Sequence, residues 1–134
     1  MSQAHPSILV VDDDPSVRML VTDVLETEGY EVHAVNDGYA ALASVENSEP
    51  DCIVLDVMMP GLDGHAVLNQ IRSRTPSDRH VPVVMLTANA GDEQAWQAWS
   101  GGVDYFLGKP FDPSELLRYL DYLFTEGVAS PLAG

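Results

Sequence analysis

Five short apolar runs, each followed by a longer segment with apolar residues at helical spacing, constrain this chain more than any other feature. Residues 7–11, 31–35, 52–55, 81–86 and 103–107 read as strands. Residues 15–28, 38–45, 64–72, 92–100 and 113–124 read as helices. Cap chemistry sets the boundaries. Asp14-Pro15 opens the first helix and Gly29 closes it. Asp63-Gly64 caps the third and Asp112-Pro113 the fifth, with Glu115 three residues after Asp112. Five strands alternating with five helices imply an α/β fold, a parallel sheet with helices on both faces. A length of 134 residues suits one domain with its own core and is too short for two ordinary ones. The domain is expected over 7–124. Residues 1–6 and 125–134 lack periodicity and are expected to be loose tails.

Polar residues follow the apolar runs directly. Ile53-Val54-Leu55 runs into Asp56, and Pro60-Gly61 then turns the backbone away. In open α/β sheets the carboxyl ends of the strands are where ligands bind, so a carboxylate there is a metal ligand or a nucleophile. Asp12, Asp13 and Asp14 follow Ile8-Leu9-Val10-Val11 on the same edge. If strands one and three are neighbours, these acids converge with Asp56. Like charges about 4–6 Å apart disfavour ionisation, and a divalent cation relieves that cost. An all-oxygen donor set is the preference of Mg²⁺. Thr87 ends the fourth run, and Lys109, the only lysine in the chain, stands where the fifth strand exits. A lone ammonium beside carboxylates can pair with Asp56 and later with a phosphate oxygen.

Composition excludes several classes. The formal net charge of −15 argues against nucleic acid as a direct ligand, because phosphate backbones need a positive face. No apolar stretch approaches the roughly 20 residues of a membrane span, and the first residues carry no secretory signal. A single cysteine, Cys52, rules out a disulfide framework, reads as a small core filler, and makes the cytoplasm the expected location. Arg72, Arg74 and Arg79 cluster in one stretch and read as a solvated loop. His5, His33, His65 and His80 show no ligand spacing and are assigned no metal or catalytic role.

Asp12-Asp13 after strand one, Asp56 in LDVMMPGLDG, Thr87 in MLTA and Lys109 in GKPF together resemble the receiver domain of bacterial two-component response regulators, of the chemotaxis-regulator type. The resemblance spans about residues 7–124. It implies a flavodoxin-like (βα)5 fold with strand order 2-1-3-4-5. It implies that Asp56 is the phosphoacceptor and that Asp12, Asp13, Asp56 and the backbone carbonyl of Met58 bind Mg²⁺. Thr87, Ala88 and Lys109 would contact the phosphoryl group, and the Lys109–Pro110 bond resembles the family's cis peptide. An aromatic on strand five would then change rotamer. That position is Phe106, where many relatives have tyrosine, so space can be filled without a hydroxyl. Tyr105 should point to the opposite face.

The resemblance also implies partners: a sensor histidine kinase or phosphotransfer protein upstream, and a protein effector downstream. Output would pass through the face made by the helix over 92–100, strand five and the last helix, which is also the route to a homodimer. Trp96 and Trp99 share a helix face and read first as core; in the sharper reading one ring joins Tyr105 and Tyr119 in an aromatic docking patch. No second domain follows Phe124 in this sequence, so output is expected from another protein or from dimerisation. Two rivals stand beside the switch. A Mg²⁺-dependent phosphohydrolase would commonly carry an acid two residues after its nucleophile, where this chain has Met58. A scaffold of the same fold would not need all five polar positions.

Overall fold

Strand β3 (Cys52–Asp56) is buried at every residue, as a strand with neighbours on both sides and helices over both faces must be. The computed structural model describes residues 5–57, 59, 61–74, 80–87, 102–109 and 111–127. Within them the order is β1 (Ser7–Val11), α1 (Pro15–Thr27), β2 (Glu31–Val35), α2 (Gly38–Asn47), β3, α3 (Gly64–Arg74), β4 (Val83–Thr87), β5 (Tyr105–Gly108) and α4 (Pro113–Tyr122). The expected helix over 92–100 lies outside the described residues. The strands form one sheet in the order β2-β1-β3-β4-β5, with every pair parallel.

Alternation along the strands divides the core into two layers. Leu9, Val11, Ile53, Leu55, Val83 and Met85 point to the face covered by α2 and α3, where they meet Ala41, Val67, Leu68 and Ile71. Ile8, Val10, Cys52, Val54, Val84 and Leu86 point to the other face and meet Val21 and Leu25 of α1 and Leu116 and Leu120 of α4. Each fully buried aliphatic side chain contributes about 1.5–3 kcal/mol relative to exposure. Cys52 is one of these core residues, and burial pushes its thiol pKa far up, which keeps it protonated and unreactive.

The caps fall where the sequence places them. Asp14, Asp63 and Asp112 accept from the backbone N–H of Ser16, Ala66 and Ser114 at 2.9, 2.9 and 3.0 Å. Asp37 does the same for α2, from Ala40 at 2.8 Å. At the end of α1, Gly29 takes φ +95° and donates to Glu26 O, while Tyr30 donates to Leu25 O. This is a Schellman stop, which a side chain at position 29 would strain.

Gly64 brings α3 against the exit of β3. Its N–H donates to Val57 O at 3.0 Å, and an added Cβ would stand 2.5 Å from Asp56 O and 2.8 Å from Val57 Cα. Both are backbone atoms that cannot swing aside. Gly64→Ala is therefore expected to cost about 1–3 kcal/mol, read as a lower urea midpoint at unchanged slope.

Two expectations need correction. Arg72 is not part of a solvated loop. It is half-buried and donates to Val81 O at 2.8 Å, Gly102 O at 2.7 Å and Asp104 Oδ2 at 3.2 Å. Its guanidinium ties α3 to the starts of β4 and β5. Second, β4 and β5 begin later than their apolar runs, at Val83 and Tyr105. Pro82 has no N–H to give, and the Asp104 carboxylate is occupied by Val83 N, Arg72 and His80. After α4, a π-helical turn follows over Leu123–Gly127. Ahead of β1, the chain bonds to the turn between α1 and β2. His5 Nδ1 lies 3.0 Å from Gly29 O, and Pro6 O accepts from Glu31 N.

Candidate functional site

The register of the two central strands builds the site. Val11 of β1 faces Leu55 of β3, so the next residues, Asp12 and Asp56, leave the sheet side by side. Asp12 N still donates to Val35 O at 3.3 Å, which extends the pairing one step past β1 and carries the carboxylate into the interior. Asp12 is fully buried, Asp56 is 2% exposed, and Asp13 is exposed at the mouth. One oxygen from each of Asp12, Asp13 and Asp56 falls within 4.8 Å of the others.

Lys109 enters from the other side. Thr87 pairs with Gly108 at the last step of β4 and β5, and Lys109 follows immediately. Its Nζ lies 3.2 Å from Asp12 Oδ2 and 3.2 Å from Asp56 Oδ1. Burial of the ammonium works against its charge, but Asp12 and Asp56 together outweigh this and hold its pKa above the ordinary lysine value. One ammonium still faces three carboxylates, so the pocket keeps a negative excess.

The donor set suits a hard divalent ion. All three side chains offer oxygen only, the preference of Mg²⁺. Asp12 Oδ1 accepts from Asp14 N at 2.9 Å, which fixes the carboxylate plane. Asp12 Oδ2 is buried, and its partner among the described residues is the Lys109 ammonium at 3.2 Å, so the oxygen already stands where a positive charge is favoured.

The remaining expected residues divide. Thr87 ends β4 on the same edge, one step beyond the Leu86–Asp56 pair. Phe106 packs against the α2 and α3 layer, and Tyr105 against the opposite layer, as alternation requires. Tyr105 and Tyr119 stack with centroids 4.4 Å apart and planes within 4°. Burial, helped by Asp104 and other negative neighbours, pushes the Tyr119 phenol pKa up. Met58, Ala88, Trp96, Trp99 and Pro110 lie outside the described residues. His80 pairs with Asp104 at 2.8 Å, far in sequence from any site acid. No motif marks Arg18, yet its Nη1 donates to the backbone oxygen of Asp12 at 2.9 Å. An arginine four residues after the helix N-cap was the available signal.

A doubly wound α/β domain with an acidic, lysine-bridged pocket at its strand exits is the class these features define. The family follows from comparison: the chain belongs to the response regulator receiver domains, whose profile matches residues 8–121. It is 39% identical over 117 residues to the DNA-binding response regulator MtrA of Mycolicibacterium smegmatis, covering 87% of this chain and 50% of that protein. The chemotaxis protein CheY4 of Vibrio cholerae superposes with a TM-score of 0.82 at 34% identity, covering 88% of this chain and 98% of that one. The receiver domain of the sensor histidine kinase PA1611 of Pseudomonas aeruginosa PAO1 gives 0.80 at 36% identity, over 88% and 96%. That structure has a magnesium ion coordinated in its active-site cleft. The chain spans about half the length of the curated relatives it matches. Among the described residues, no helix is long and apolar enough to cross a membrane.

Proposed function

We propose that this chain is a phosphorylation-dependent switch in which Asp56 is the phosphoacceptor. The observation that carries the reading is the Lys109 ammonium held 3.2 Å from both Asp12 and Asp56, inside a cluster of three carboxylates. Asp12, Asp13 and Asp56, with the backbone carbonyl of Met58, would hold Mg²⁺. Bound there, the ion supplies charge neutralisation for the oxygens of a transferring phosphoryl group.

The chain's own residues do the rest. An oxygen of Asp56 attacks the phosphorus of a phosphohistidine on a sensor kinase or phosphotransfer protein. The new O–P bond forms as the N–P bond breaks, and the imidazole leaves with the electron pair and takes up a proton. Lys109 exchanges its carboxylate partner for a phosphoryl oxygen, at a cost lowered by its position between the two acids. Thr87 and Ala88, at the end of β4, would contact the remaining oxygens. Hydrolysis by water returns inorganic phosphate and the free carboxylate, so the chain assists its own phosphorylation and dephosphorylation without a separate substrate.

The product carries roughly two negative charges and three strong acceptors where one carboxylate stood. Movement of Thr87 toward it would open space that Phe106 fills. Output would pass through the face that includes Tyr105, Tyr119, Trp96 and Trp99, toward a protein effector or a second copy. The relatives named as DNA-binding are about twice this length, and because the chain as a whole carries a net charge of −15, the receiver unit, proposed over 7–124, is not assigned the DNA contact. A cytoplasmic location goes with this reading. Incubation with acetyl phosphate and Mg²⁺ tests it by intact mass. A switch gains one phosphoryl group per chain, a phosphohydrolase turns over the donor catalytically, and a scaffold does neither.

A further inference from the structure

We propose that Arg18 is a positioning residue for the metal pocket, holding the exit of β1 in the shape that turns Asp12 and Asp13 toward the cation. The inference rests on the magnesium reading above. The Arg18 side chain holds the turn at one point, its Nη1 donating to Asp12 O at 2.9 Å; the bond from its backbone N to Asp14 O at 3.0 Å is the first hydrogen bond of α1 and stays in any variant. Between these points Asp14 N donates to Asp12 Oδ1 at 2.9 Å, and Asp14 Oδ1 accepts from Ser16 N at 2.9 Å. The helix backbone thus fixes the Asp14 carbonyl, and the Arg18 guanidinium fixes the Asp12 carbonyl at the other end of the three-acid turn.

The Asp12 carbonyl belongs to the peptide that leads into Asp13, so its direction sets where Asp13 leaves the chain. Asp13 needs that help, because it is exposed and its carboxylate makes no hydrogen bond among the described residues. Asp12 is held by burial and by Asp14, whereas Asp13 depends on the turn. Groups that orient metal ligands typically change affinity by about 10–100-fold when removed.

The sign of the effect separates positioning from charge. A guanidinium near a divalent ion repels it, so an arginine acting only as a charge would weaken binding, and its removal would tighten it. Positioning predicts the reverse. Calorimetric titration with magnesium alone should show Arg18→Met binding about tenfold or more weakly than the unaltered chain, and Arg18→Lys, which keeps a donor, recovering most of the loss. The metal-free unfolding temperatures of the two variants should be close. Unchanged affinity in Arg18→Met would overturn the proposal, with a lowered unfolding temperature then marking Arg18 as a stability residue only. Tighter binding would overturn it in favour of simple repulsion. If Asp13→Asn also binds like the unaltered chain, or the unaltered chain binds no magnesium, the metal reading itself falls and takes this inference with it.

Discussion

Asp56→Ala is expected to accept no phosphoryl group from acetyl phosphate under conditions in which the unaltered chain gains one. Among the described residues, the acids of the pocket are not equivalent. Asp12 is fully buried, with one oxygen held by Asp14 N and the other against Lys109. Asp13 stands at the rim. Asp56 ends the central strand, nearly buried yet beside the one ammonium. A nucleophile needs a fixed strand behind it and a counter-charge in front; Asp12 and Asp56 both have these, and membership of the receiver family is what proposes Asp56. Its removal should leave the fold in place, because Ile53, Val54 and Leu55 still fill the two core layers. Circular dichroism should therefore be unchanged while the mass increment disappears. Retention of the increment in Asp56→Ala would move the acceptor to another residue.

Lys109→Met should have the next largest effect, on three readouts with different signs. Acceptance of phosphoryl should slow by about 10²–10³-fold, the usual loss when a preorganised donor to a developing charge is removed. Stability should fall by about 1–3 kcal/mol in low salt without magnesium, less than the 3–5 kcal/mol of a fully buried pair because this ammonium is partly solvated. Magnesium affinity should rise, since a competing cation has gone from a pocket that keeps all three acids.

The pH dependence follows from the same charge. The folded pKa of Lys109 lies above its ordinary value, so its contribution is complete below about pH 10.4 and is lost as pH rises through the higher folded value. Tyr30 and Tyr119 act in the same direction, since burial raises both phenols and the unfolded chain ionises first. Cys52 adds to this, because its buried thiol stays protonated where the unfolded chain ionises; the unaltered chain should lose stability from about pH 8.5 upward, and Lys109→Met should show a shallower alkaline limb that retains the cysteine and tyrosine parts. Urea midpoints across pH 8–11 measure both slopes. A steeper limb in the variant would contradict the assignment of Lys109 as the pocket's counter-charge.

Much of this was legible in the chain because strand ends and caps are local signals. Ile53-Val54-Leu55-Asp56 announces a buried strand that ends in a carboxylate without any tertiary information, and Asp14-Pro15, Asp63-Gly64 and Asp112-Pro113 announce helix starts the same way. Whether β1 and β3 are neighbours was not local. The convergence of Asp12 with Asp56 depended on that pairing, and the parallel register of Val11 with Leu55 supplies it. Arg72 was misread because a run of arginines in sequence says nothing about which guanidinium meets acceptors on other elements. Only the folded placement of Val81 O, Gly102 O and Asp104 makes its three bonds available. Arg18 was passed over for the same reason, since its acceptor is a backbone carbonyl that no side-chain pattern marks. The strands start at Val83 and Tyr105 because Pro82 has no N–H for the ladder and the Asp104 carboxylate takes the Val83 N–H, although Pro82 O still accepts from Ile53 N and Asp104 N still donates to Val83 O.

Calorimetric titration of magnesium into the unaltered chain and into Asp12→Asn/Asp13→Asn/Asp56→Asn decides whether these acids form one cation pocket. A single binding site in the unaltered chain, lost in the triple variant while its circular dichroism is retained, is the expected result. Equal affinity in a folded triple variant would contradict it.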